Sequence, residues 1–257
     1  MSPIDTDEPV EPVEPTILDV RIGASGDDGE ERANGTVTIV STDLELVDEE
    51  STQTVGLRFE MDIPREAVIL DAFIRFEVDE VSVEPATLTI QAQLVDDAGN
   101  FEVTDHHISM RPLTETSVQW EPEPWETVDA VHETPGLVGL VQEIVNRPGW
   151  DDNNEIAFIV TGSGVRVAKS FDGDGGQDSA PLLHVEFLPP ECDTDDTCDL
   201  DPGVAFCPYI GQGGYSHPSD TVFDREQIVE FSVEMDPDDW EFQLNNPDLE
   251  QYVPAAL

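Results

Sequence analysis

The sequence predicts an all-β, jelly-roll-like antiparallel sandwich with one short helix, followed by an acidic linker and an incomplete α+β segment. Three observations predict it. Hydrophobicity alternates with a period of two across residues 17–187, clusters of Gly, Asp and Asn separate the alternating runs, and a single stretch breaks to helical spacing.

Residues 1–16 form a Pro/Glu spacer, with prolines recurring through EPVEPVEP as in an extended polyproline-like linker. The sandwich is assigned to residues 17–190. Val55, Leu57, Phe59 and Met61 form one apolar face, and Leu70, Ala72, Ile74, Phe76 and Val78 another. Leu88, Ile90, Ala92 and Leu94 alternate with Thr87, Thr89, Gln91 and Gln93, and the next turn falls at Asp97-Ala98-Gly99-Asn100. Ile156, Phe158 and Val160, then Leu183, Val185 and Phe187, complete the pattern. Leu137, Leu140, Val141, Ile144 and Val145 recur at helical spacing, with Thr134 as N-cap, Pro135 at the first helical position and Pro148-Gly149 beyond the end. The apolar stripe of this helix is core. Asn34-Gly35 and Gly162-Ser163-Gly164 read as hairpin turns.

Residues 191–221 lose periodicity and read as an Asp/Cys/Gly-rich linker. Val229, Phe231 and Val233 then alternate, and Asp236-Pro237 opens a helix carrying Trp240 and Leu244. A lone strand and helix of about 35 residues cannot bury a core, so this second domain is expected to be a truncated start.

Charge excludes whole classes of partner. The chain has 58 Asp+Glu against 10 Lys+Arg, a formal net charge of -48, and Lys169 is its one lysine. Nucleic acid needs a cationic face that this chain cannot assemble, and anionic membrane surfaces are disfavoured for the same reason. No apolar run approaches the roughly 18 residues of a membrane span. Excess carboxylate suits a salt-rich or calcium-rich setting, where screening or binding relieves the repulsion. The N-terminal residues resemble neither the basic nor the apolar part of a signal peptide, so either the protein stays inside or the chain is a fragment of a longer exported protein; the tail that stops in mid-pattern makes the fragment the expectation.

Candidate sites follow from residue type and spacing. Asp172-Gly173-Asp174-Gly175-Gly176-Gln177-Asp178 alternates acids with glycines, as a calcium loop does when it turns sharply and aims oxygens inward. Asp27, Asp28, Glu30 and Glu31, with Asp43 and Glu45, form a second cluster. If first and last strands pair, Asp27, Asp28 and Glu31 are brought toward Asp172, Asp174 and Asp178 on one calcium ion. The alternative is a solvated acidic loop, since so acidic a chain makes clusters by chance. Trp120 and Trp125 flank Glu121-Pro122-Glu123-Pro124 and are candidates for stacking on sugar rings, against the alternative that both pack at the sandwich edge. Three cysteines crowd the linker. Cys192 and Cys198 are the expected disulfide pair, and Cys207 is left over. Their spacing does not suit zinc. The Asp-rich run around them is a weaker calcium candidate. His106-His107 reads as a satisfied or solvent-facing pair. No nucleophile elbow, zinc-protease motif or phosphate-binding loop occurs, so no catalytic residue is assigned.

Several runs resemble one family. They are Ser25-Gly26-Asp27-Asp28-Gly29-Glu30-Glu31, Ser41-Thr42-Asp43-Leu44-Glu45-Leu46, Gln53-Thr54-Val55-Gly56-Leu57-Arg58-Phe59 and Ile63-Pro64. Ser117-Val118-Gln119-Trp120, the stretch from Val141 to Trp150, Ala157-Phe158-Ile159-Val160-Thr161-Gly162 and Ala180-Pro181-Leu182-Leu183-His184-Val185 continue them. In this order they resemble DNRLRE-type extracellular jelly-roll modules. The resemblance implies a non-catalytic accessory module, in some relatives for carbohydrate binding. The tail, from Phe223-Asp224 through Asp239-Trp240 to Tyr252-Val253-Pro254-Ala255, is similar to the start of spore-coat CotH kinase-like domains. It lacks the lobes that would hold nucleotide and metal. Three functional expectations result: an extracellular or cell-surface module binding polysaccharide, the N-terminal part of a CotH-type kinase, or a calcium-stiffened structural spacer.

Overall fold

The computed structural model describes residues 13–48 and 51–190. The linker, Cys192, Cys198 and the CotH-like tail lie outside the described residues.

Twelve strands and one helix build an antiparallel β-sandwich. The strands are β1 (Thr16–Arg21), β2 (Asp28–Arg32), β3 (Val37–Thr38), β4 (Asp43–Glu45), β5 (Gln53–Glu60) and β6 (Val68–Glu80). After them come β7 (Thr87–Ala92), β8 (Val118–Trp120), β9 (Val131–Glu133), helix α1 (Val138–Val145), β10 (Glu155–Ser163), β11 (Val167–Lys169) and β12 (Leu182–Leu188). One sheet runs β1-β12-β6-β11-β4, with β9 also paired to β6, and the other runs β3-β2-β5-β10-β7-β8. The chain passes back and forth between the two sheets, which is jelly-roll-like winding. First and last strands pair, Thr16 opposite Phe187 and Arg21 opposite Leu182.

The inner faces meet in one core. Val55, Leu57, Phe59 and Met61 from one sheet pack with Ala72, Ile74, Phe76, Val78, Leu183 and Val185 from the other, all at most 1% exposed. One position departs from the simple alternation. Leu70 is 43% exposed and Ile69 is buried, because β6 bulges against β12: Glu186 faces Asp71 while Phe187 faces Ile69. An extra residue on one strand flips the faces beyond it.

β10 is buried on both sides. Ile156, Phe158 and Val160 face the main core, while Ala157 and Ile159 join Val37, Ala98, Phe101 and Ile108 in a second cluster. The loop following β7 makes that cluster by folding over the outside of its sheet. Gly56 permits the approach, since a Cβ there would collide with the Phe101 ring.

Two local expectations are corrected. α1 starts after Leu137 with no side-chain cap, and Thr134 serves β6 instead. Its hydroxyl accepts from Ile74 N at 3.0 Å while its own N–H donates to Ile74 O at 3.0 Å. Gly162-Ser163-Gly164 is not a hairpin turn: β10 and β11 belong to different sheets, so the glycines carry the chain across, with Gly162 at φ 141° and Gly164 at φ 90°. Asn34-Gly35 does make the expected turn, between β2 and β3, with Gly35 at φ 91° and Thr36 N donating to Asn34 Oδ1.

Candidate functional site

The tryptophan pair is core. Trp120 is 6% and Trp125 0% exposed. Phe76 stacks on Trp120 with centroids 5.8 Å apart, and Trp125 stacks on His132 at 5.2 Å. Reciprocal backbone bonds between Trp125 and Ser82, both 2.9 Å, pin the Pro-rich segment to the strand end and turn the ring inward. A ring with no free face cannot stack on a sugar, so the edge-packing alternative is the one the fold adopts.

The six candidate calcium ligands divide. Asp27, Asp28 and Asp172 are brought together. Phe171 N donates to Asp28 Oδ2 at 2.9 Å and Ser25 Oγ to Asp172 Oδ1 at 3.0 Å, so the strand-end loops at 22–28 and 170–181 are laced to each other. Asp27 Oδ1 accepts from Arg58 Nη1 at 2.5 Å and Asn100 Nδ2 at 3.0 Å. Asp172 Oδ2 is buried with no hydrogen-bond partner. Burial pushes the Asp28 carboxyl up to about 7; the Phe171 N–H opposes this, and the Asp172 and Asp27 charges reinforce it.

The other three point elsewhere. Glu31 is consumed in holding the loop after β7, because it accepts from Ile108 N at 2.9 Å, Ser109 N at 2.8 Å and the Ser109 hydroxyl, with His106 at 3.3 Å. Burial alone would raise its carboxyl, but these donors hold it below the ordinary value. Asp174 and Asp178 are exposed, Asp178 closing a single 3₁₀ turn, Gly176–Asp178. The histidines are satisfied as expected, His107 Nδ1 accepting from Glu102 N at 3.0 Å.

Further acids gather along the same edge. Glu30 is 4% exposed, and burial, then the neighbouring Glu45 carboxylate, push its carboxyl up to about 9. Asp43, Asp79 and Glu80 offer ligand atoms within 4.8 Å of one another. Lys169 Nζ lies 2.5 Å from both Glu77 and Asp129, which raise its pKa.

A second feature was not legible in the sequence. On the outer face of the β1-β12-β6 sheet, register lines up Asp19, His184 and Phe73 in one row and Arg21, Leu182, Arg75 and Glu133 in the next. Asp19 Oδ1 holds His184 Nδ1 at 2.7 Å, and the imidazole stacks on Phe73 at 4.6 Å. The Arg75 guanidinium lies 5.0 Å from the same ring and donates to Glu133 at 2.9 Å. Beside these rows lies a cleft of about 350 Å³ lined by Arg21, Arg75, Phe76, Glu77, Val131 and Leu182. A signal was present in the alternate positions of Phe73-Ile74-Arg75-Phe76-Glu77, but which neighbours stand beside them depends on β12, over 100 residues away, and on β9, more than 50 residues away.

No family model matches the chain, and no curated protein matches it. No helix among the described residues is long and apolar enough to cross a membrane.

Proposed function

We propose that the chain is a non-catalytic extracellular accessory module whose sandwich binds polysaccharide through the outer face of the β1-β12-β6 sheet. One observation carries the reading: the cleft beside the Phe73–His184 stack joins apolar Val131 and Leu182 to planar, hydrogen-bonding Arg75, Glu77 and Arg21. Sugars present CH faces and hydroxyls together, and a site combining apolar surface with a few planar polar groups meets both. Two arginines line one cleft of so acidic a chain: Arg75 gives Nε to Glu133 and Arg21 gives Nη1 to Ala180 O, and their remaining N–H groups are donors for hydroxyls where most of the surface offers carboxylates. The resemblance of residues 17–187 to DNRLRE-type modules supports the accessory role, and the CotH-like tail supports a place beside another domain.

Affinity electrophoresis through gels containing soluble polysaccharides, run in molar salt, tests this. At least one polysaccharide should retard the chain, and Phe73→Ala or Arg75→Ala should each weaken the retardation about tenfold. Met110→Ala, on a side chain 79% exposed in another loop, should leave it unchanged. A chain retarded by nothing in the panel, or equally in all variants, overturns the reading. ATP turnover with magnesium should equal the buffer blank, since phosphoryl transfer needs positioned cations.

A further inference from the structure

We propose that Asp27, Asp28 and Asp172 form a calcium site that ties the loop after β1 to the loop before β12. Asp27 gives Oδ1 to Arg58 and Asn100, Asp28 gives Oδ2 to Phe171 N, and Asp172 gives Oδ1 to Ser25. Asp172 Oδ2 is left fully buried with no donor at all. Asp28 is 3% and Asp27 8% exposed, so water does little to dilute the charge.

A buried carboxylate oxygen without a partner is costly, and elsewhere this fold satisfies its buried acids thoroughly, as at Glu31. One guanidinium, Arg58, serves the group, and it is also committed to Glu155 at 2.7 Å. A second positive charge is what the arrangement lacks. The donors are all oxygens, with no imidazole or thiolate, which selects a hard cation. The loop carrying Asp172 is irregular and glycine-rich, with Gly175 and Gly176 at φ 88° and 57°. Irregular, many-oxygen sites suit calcium, whereas magnesium demands a tight octahedron.

Asp43, Asp79 and Glu80 are a more compact group, but Glu80 is exposed, and a solvated acidic group needs no ion. The three carboxylates proposed here stand farther apart, so an ion would draw them inward. In doing so it would join segments about 145 residues apart, next to the β1–β12 pair that closes the sandwich.

The test uses the chain dialysed against chelator and melted at constant molar ionic strength, with calcium or magnesium titrated in. Calcium should raise the midpoint by about 5 °C or more, in proportion to the logarithm of its concentration, and magnesium much less. Asp172→Asn should abolish the calcium shift, while Asp174→Asn, on the exposed part of the same loop, should keep it. Without calcium, Asp172→Asn should melt at or above the unsubstituted chain, which shows that the variant folds. Equilibrium dialysis should lose one bound calcium in Asp172→Asn. No calcium-specific shift, an equal magnesium shift, or a shift that survives in Asp172→Asn overturns the proposal.

Discussion

Arg166 supports the end of the sandwich where the chain crosses between sheets, and its removal gives the sharpest test of how the fold is held. The residue is 1% exposed, yet its hydrogen bonds all go to backbone carbonyls: Nε to Glu123 at 3.0 Å, Nη1 to Glu84 and Val165 at 2.7 and 2.6 Å, and Nη2 to Pro122 at 2.7 Å. Its backbone also exchanges bonds of 2.8 and 2.9 Å with Leu46. One planar fork thus gathers the loop after β6, the Pro-rich segment and the strand crossing. Arg166→Met keeps the stem but strands up to four carbonyls in the interior. Each unsatisfied group costs about 1–3 kcal/mol, and relaxation and second lone pairs recover part, so a loss of about 3–5 kcal/mol is expected. Arg166→Lys retains charge and three donors but not the fork, and should lose roughly half as much. Urea unfolding in molar salt reads both, with the slope unchanged because the exposed surface is unchanged. A loss below about 1 kcal/mol in Arg166→Met would refute the reasoning, since the carbonyls would then be satisfied without the guanidinium.

Two further outcomes are expected. Glu30, pushed up to about 9 from an ordinary 4.5, holds a proton in the folded state that the unfolded chain has released. Stability should therefore be fullest below the unfolded value and fall as pH rises, by about 1.4 kcal/mol per pH unit, levelling near 9. Glu30→Gln should remove that slope between pH 7 and 8.5, and urea midpoints that decline in parallel for both proteins would sink the idea. The net charge of -48 predicts that the melting temperature rises from low to molar sodium chloride as screening relieves carboxylate repulsion. A flat or falling titration contradicts it.

Period-two alternation marked the faces of β5, β7, β10 and β12 because burial on one side of a strand is written residue by residue into its own sequence. Helical spacing placed α1 to within a few residues. Alternation failed at Leu70, where a bulge set by the partner strand flips the faces, and cap chemistry failed at Thr134, whose hydroxyl had two backbones to choose between. Neither competitor is visible locally.

The sites divide along the same line. Sequence alone determined that acids concentrate before β2 and before β12, that glycines let the second loop turn, and that the surface is overwhelmingly anionic. Only the tertiary structure decided that Asp172 meets Asp27 and Asp28 while Glu31, three residues along, is spent on Ser109. It also decided that Trp120 and Trp125 face inward and that Phe73, His184 and Arg75 stand in adjacent rows. The physical reason is range. Facing and turning are properties of consecutive residues, whereas a binding constellation depends on which strand lies beside which. In an antiparallel sandwich that is set by pairings between segments more than 100 residues apart.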